Sequence, residues 1–147
     1  MPKGLQISIT DDDRFYMEMA SCIAHENAGH GGAPCGAVVV RNGEVIAAAA
    51  HSVTQDHDST AHAPVKAIRK ACDMVGGTRI EGCIVYCSSE PCHMCMSALS
   101  RAGVSRVYYA NAVAGAVVDD SDYTVIDVTV AAESFYKCCA RKGDDKH

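Results

Sequence analysis

Apolar residues near the N-terminus fall at helical spacing. Phe15, Met19, Cys22 and Ile23 recur three to four positions apart, which predicts a helix over about 13–28. Asp11-Asp12-Asp13 precedes this stripe and supplies an N-cap and negative charge at the helix start. Gly29-His30-Gly31-Gly32 ends it. Cys35 to Val40 then reads as a buried strand. Asn42-Gly43 is a strong hairpin-turn pair, and Val45 to Ala50 is the returning strand. Ser52 to Ser59 is polar and turn-like. A helix follows from about Ala63 to Val75, with Val65, Ile68 and Cys72 on one face, and Gly76-Gly77 stops it. Cys83 to Cys87 is a short apolar strand. Pro91 opens a helix to about Ala102, where its missing N–H costs little. Val104 to Ala110 is another strand. Tyr123 to Val130 reads as a last strand and Ala131 to Lys142 as a C-terminal helix. This order predicts an α/β chain with a mixed sheet and helices on its faces.

Length narrows the picture to one domain, 1–147, because 147 residues suffice for one core and no repeat or linker interrupts them. The formal net charge of −5 argues against a large nucleic-acid surface, which needs clustered Lys and Arg. A small uncharged or cationic partner fits better. No apolar run is long enough to span a membrane and no apolar stretch follows Met1-Pro2-Lys3-Gly4, so a cytoplasmic setting is expected. Nine cysteines is an odd number. Apart from Cys92 and Cys95, they lie mostly in apolar stretches. Cys22, Cys35, Cys72, Cys83, Cys87, Cys138 and Cys139 are read as reduced thiols filling the core.

The chemistry is concentrated in two short segments. His62 stands thirty residues before Cys92-His93-Met94-Cys95. One imidazole and a Cys-x-x-Cys pair make three zinc ligands and leave a fourth position for water. Both segments fall at expected helix starts, where partial positive charge favours the thiolate. A redox dithiol would leave His62 without a role. Half of a four-cysteine site would need a second Cys-x-x-Cys, and Cys138-Cys139 is poorly spaced for one.

The signature H-x-E…P-C-x-x-C marks zinc-dependent base deaminases. Thr60-Ala61-His62-Ala63-Pro64-Val65-Lys66-Ala67-Ile68-Arg69 and Ser88-Ser89-Glu90-Pro91-Cys92-His93-Met94-Cys95-Met96-Ser97-Ala98 carry it here. Through them the chain resembles the cytidine deaminase-like superfamily, bacterial guanine deaminases and related nucleobase deaminases in particular, over roughly 37–121. The resemblance implies a three-layer α-β-α fold with a mixed five-stranded sheet and Zn2+ as cofactor. It implies hydrolytic deamination of a purine base, nucleoside or related amino-heterocycle, guanine-type preferred. It also implies a homodimer in which a C-terminal segment, about 119–147, is exchanged between subunits. An ordinary docking helix is the duller reading of that segment.

One element departs from the family. Its glutamate moves protons between water, ring and leaving amine, and position 64 holds proline. Proline is tolerated in a helix's first turn. Fold and metal site should therefore survive while the chain is inactive or strongly impaired. Pro64 could be a change made to trap a ligand, a natural replacement in a binding protein, or a sign that another group moves the protons. By resemblance, Asp120, with Asp119 second, assists the leaving amine, though an acidic surface turn is an equal reading. His51 stands where the family reads the substrate base, against the alternative of an exposed strand-end histidine. Phe135, Tyr136 and Tyr123 could close the pocket, and Glu90 could shape it. Asn42 is read as structural, and His25, His30, His57 and His93 as surface residues. Two other functions compete: a zinc-stabilised ligand-binding or interaction protein without hydrolysis, and, less favoured by the acidic balance, a tRNA adenosine deaminase.

Overall fold

Helix α1 (Asp11–Gly29) starts where a side chain can satisfy its free N–H groups. The structure is a computed structural model that describes residues 10–110 and 123–127. The cap is Thr10, one residue before the acidic trio expected to supply it. Thr10 Oγ1 accepts from the Asp13 N–H at 3.1 Å, and Asp13 Oδ2 accepts from the Thr10 N–H at 3.0 Å. The buried face of α1 is also turned from the one expected. Asp13, Met17, Ala20 and Ala24 face the core, while Phe15 is 58% exposed and Cys22 is exposed. Close approach selects this face. A Cβ on Gly36 would lie 2.5 Å from the Ala20 carbonyl oxygen and 2.9 Å from the Ile23 Cβ. Small residues on both sides let helix and strand meet there.

Strand β1 (Gly36–Arg41) and strand β2 (Glu44–Ala50) form the expected hairpin. Asn42 (φ 50°) and Gly43 (φ 80°) both take the left-handed conformation that a tight hairpin turn demands. The segment expected to be all turn contains a one-turn helix, α2 (Val53–Asp56). Helix α3 (Ala63–Val75) ends on left-handed Gly76. Strand β3 (Ile84–Cys87), helix α4 (His93–Ala102) and strand β4 (Arg106–Ala110) form a parallel crossover unit. Cys92 caps α4, so Pro91 precedes the cap rather than opening the helix. A cap residue must be extended, and Cys92 is, with φ −76° and ψ 176°. Strand β5 (Tyr123–Asp127) pairs antiparallel with β4. Strand order is β2-β1-β3-β4-β5, with β1 antiparallel to both neighbours. The expected α/β class with a mixed sheet is what the chain adopts.

The sheet is covered on both sides. Val38, Val40, Tyr86 and Tyr108 pack with Met17 and Ala20 of α1. Ala37, Val39, Val85 and Val107 pack with Ala67 and Ala71 of α3 and Leu99 of α4. Alternation along β1 sends successive residues to opposite layers, so its apolar run is buried throughout. Cys83 and Cys87 are buried thiols, Cys35 and Cys72 are partly exposed, and Cys22 lies outside the core. No helix among the described residues is long and apolar enough to cross a membrane. Asp119, Asp120, Phe135, Tyr136, Cys138, Cys139 and the expected C-terminal helix lie outside the described residues.

A buried polar contact ties α1 to the sheet. The Tyr86 hydroxyl donates to Asp13 Oδ1 at 2.5 Å, in the buried layer where Tyr86 stacks on Tyr108 at 4.8 Å. Burial pushes the Tyr86 hydroxyl up, and Asp13 adds to that shift. A raised pKa keeps this stabilisation intact below about pH 10, and it fades only as pH rises further. Tyr86→Phe is expected to cost about 1.5–3 kcal/mol, because a buried carboxylate loses a donor. Urea denaturation at neutral pH measures it, and a midpoint equal to the parent's would show that the contact contributes nothing.

Candidate metal centre

Two helix N-termini meet on one face of the sheet. His62 caps α3 in extended conformation, and Lys66 N–H donates to its carbonyl at 2.9 Å. Cys92 caps α4, and Met96 N–H donates to its carbonyl at 2.9 Å. Cys95 lies in the first turn of α4. Helix geometry then leaves the side chains of all three aimed past the helix ends.

His62 Nδ1 lies 3.5 Å from Cys92 Sγ and 3.5 Å from Cys95 Sγ, and the sulfurs are 3.6 Å apart. Ligands on a tetrahedral zinc, with Zn–S about 2.3 Å and Zn–N about 2.0–2.1 Å, would sit about 3.6 Å (N to S) and about 3.8 Å (S to S) apart. The triangle therefore has the size of one face of a zinc tetrahedron. A disulfide would bring the sulfurs to about 2.05 Å, so the pair is reduced. Among the described residues these three form the group whose donor atoms all lie within 4.8 Å of one another. All three are buried, His62 at 7%, Cys92 at 9% and Cys95 at 2% exposure.

The thiols are prepared for a cation. The bond to Cys95 pulls the Cys92 thiol below its ordinary value and His62 adds to this, against the opposing effect of burial. Cys95 is pushed up, first by its bond to Cys92 and then by burial. The pair thus gives up one proton easily and holds the second between its sulfurs. A divalent ion replaces that second proton when it binds.

Beside the triangle lies a small cleft open to solvent, with about 20 Å³ of enclosed space. Cys35, Gly36, His51, Pro64, Ser89 and Glu90 line it with the three ligands. It sits where the C-terminal end of β3 meets the N-termini of α3 and α4, the usual place for ligands in open α/β sheets. Pro64 is buried in its wall, one residue into α3, where an N–H would have no helical partner. His51 follows β2, and its ring stacks on that of His62 at 5.3 Å with planes 29° apart. Asn42 turns the hairpin at the end of β1 opposite Gly36, away from the pocket. His25, His30 and His57 are exposed and His93 is half-buried, none of them in the ligand group.

His62, Cys92, Cys95, Pro64, His51 and Glu90, expected from the sequence to take part, meet here. Cys35, Gly36 and Ser89 join them, and their only local signal is weak. Only the pairing of β1 with β3 sets Gly36 beside Ser88, with Gly36 N–H donating to Ser88 Oγ at 2.9 Å.

Residues 10–111 match the family described as "Cytidine and deoxycytidylate deaminase zinc-binding region". The chain is 46% identical over 97 residues to guanine deaminase of Bacillus subtilis, covering 65% of this chain and 62% of that protein. It is 39% identical over 94 residues to the tRNA-specific adenosine deaminase of Agrobacterium fabrum, covering 64% and 62%. The X-ray structure of guanine deaminase from Bacillus subtilis superposes with a TM-score of 0.65 at 43% identity, over 66% of this chain and 62% of that one. The chain thus spans about three fifths of the length of these relatives.

Proposed function

This chain belongs to the cytidine and deoxycytidylate deaminase zinc-binding family, and from that premise we propose that it is the scaffold of a zinc-dependent aminohydrolase for a purine base, nucleoside or related amino-heterocycle. The observation that carries the reading is the zinc-sized triangle of His62, Cys92 and Cys95 opening onto a pocket walled by Pro64. Zinc, when bound, supplies a water activated for attack on an amino-bearing ring carbon. His62, Cys92 and Cys95 hold the ion. Pro64 stands at the general acid/base position and can neither take nor give a proton. The chain is therefore inactive or strongly impaired. His51 contributes one donor and one acceptor to the ring of the substrate. Asp120, with Asp119 beside it, is assigned to the leaving amine. A guanine-type substrate is supported by the similarity to guanine deaminase. A cytoplasmic homodimer that exchanges about 119–147 completes the reading.

Crystals of the zinc-loaded chain soaked with guanine, guanosine, cytosine and an aminotriazine test it. The expected result is an unreacted amine bound beside the metal. An empty pocket across the panel, with zinc in place, would overturn the substrate class.

One observation favours a second reading. A buried proline in the reactive wall suits a zinc-stabilised ligand-binding protein that has no hydrolysis to perform. A tRNA substrate draws support from the Agrobacterium relative. It is opposed by a net charge of −5, since phosphate contacts need Lys and Arg.

A further inference from the structure

We propose that Asn27 is a positioning residue that sets the His51 wall of the pocket from the end of helix α1. Its amide nitrogen donates to the Ala33 carbonyl at 2.8 Å and to the His51 carbonyl at 2.8 Å. Both partners are carbonyls, which only accept, so the amide nitrogen rather than the oxygen must face them. The two bonds join three separate pieces of chain: the last turns of α1, the loop ahead of β1, and the exit of β2.

The His51 backbone is thereby held at both ends. Its N–H donates to the Cys35 carbonyl at 3.1 Å, and its carbonyl receives Asn27. The next residue is tied as well, with Ser52 N–H donating to the Ala61 carbonyl at 2.9 Å, directly before His62. With these bonds in place, the backbone from which the His51 ring projects is held, and from there the ring stacks on His62. Asn27 is the α1 side chain in this arrangement; it is not among the residues lining the pocket and reaches it only through the His51 carbonyl. Gly32 completes the seat. A Cβ there would lie 2.6 Å from Asn27 Nδ2 and 2.9 Å from its Cγ, so the glycine leaves the space the amide occupies.

The role rests on His51 being a ligand-contacting wall of the proposed pocket, and the test separates the two ideas. The full zinc-loaded chain is labelled at histidine and its ring signals are followed by NMR, with His51→Gln used for assignment. Zinc content and guanine binding are measured in parallel; the Pro64 background keeps bound guanine unconsumed. In Asn27→Ala, zinc stays at one per chain, and the His62 ring signals shift only by the ring-current change from its stacked neighbour. The His51 ring signals shift and broaden, and guanine binds about tenfold more weakly, the scale of one lost hydrogen bond. Gly32→Ala leaves Asn27 in place but crowds its amide, so it should move the same His51 signals in the same direction. It also serves where Asn27→Ala folds poorly. Unchanged His51 signals in either folded variant overturn the positioning role. If the parent chain binds no guanine while the His51 signals still respond, the substrate reading fails and the positioning role stands.

Discussion

Replacing Pro64 with glutamate is expected to raise ammonia release from guanine by at least about 10²–10⁴-fold over the parent chain, the usual contribution of a positioned acid/base group. Position 64 lies in the first turn of α3, where a carboxylate is favoured by the helix dipole. Its side chain belongs to the wall shared with His62, Cys92 and Cys95. The substitution breaks no helical hydrogen bond, because an N–H at this position has no partner within the helix. Pro64→Gln provides the shape without a transferable proton and should remain as slow as the parent. The readout is coupled ammonia detection at saturating zinc. A Pro64→Glu protein that binds zinc, yet releases no more ammonia than Pro64→Gln from guanine, guanosine, cytosine or an aminotriazine, would favour a binding protein over a deaminase.

Loss of a single thiolate should be nearly as severe for the metal. Cys95 is the most buried of the three ligands, and its sulfur lies within 3.6 Å of both partners. Cys95→Ala leaves two ligands, and zinc content should fall from about one per chain to near zero by elemental analysis. Metal affinity is also stability, because an ion that binds only the folded chain shifts the folding equilibrium. At zinc a thousandfold above its dissociation constant that shift is about 4 kcal/mol. For a chain of this length it corresponds to roughly 8–16 °C in Tm. The parent should lose that increment on chelation, whereas Cys95→Ala should melt at the same temperature with or without chelator. A variant that keeps one zinc per chain and its chelator-sensitive Tm would show that the triangle is not the metal site.

The two sides of this protein differ in how far local rules reach. Both ligand segments could be read directly, since helix starts, proline placement and Cys-x-x-Cys spacing are properties of a few consecutive residues. The hairpin was equally plain, because Asn42-Gly43 is chosen for backbone conformations few other pairs adopt. Helix α1 was found but its buried face was not. Phe15 and Cys22 are apolar by type and point outward, while Asp13, polar by type, is buried by its bonds to Thr10 and Tyr86. Periodicity locates a helix, but packing against Gly36 selects its phase. Cys35 and Gly36 escaped notice for a related reason: they matter only because β1 lies against β3.

By itself the order of residues determined where helices and strands form, which side chains can bind a metal, and that position 64 offers no proton. Each of these follows from neighbours within about one turn of chain. Tertiary structure alone decided that an imidazole and two sulfurs, thirty and thirty-three residues further along the chain, lie within 3.6 Å of one another. It also decided that His51 stacks on His62 and that Asn27 reaches across to hold it. Those contacts depend on two helix N-termini being carried to one end of the central strands of a shared sheet. Nothing local encodes that juxtaposition; it comes from burying both faces of the sheet together.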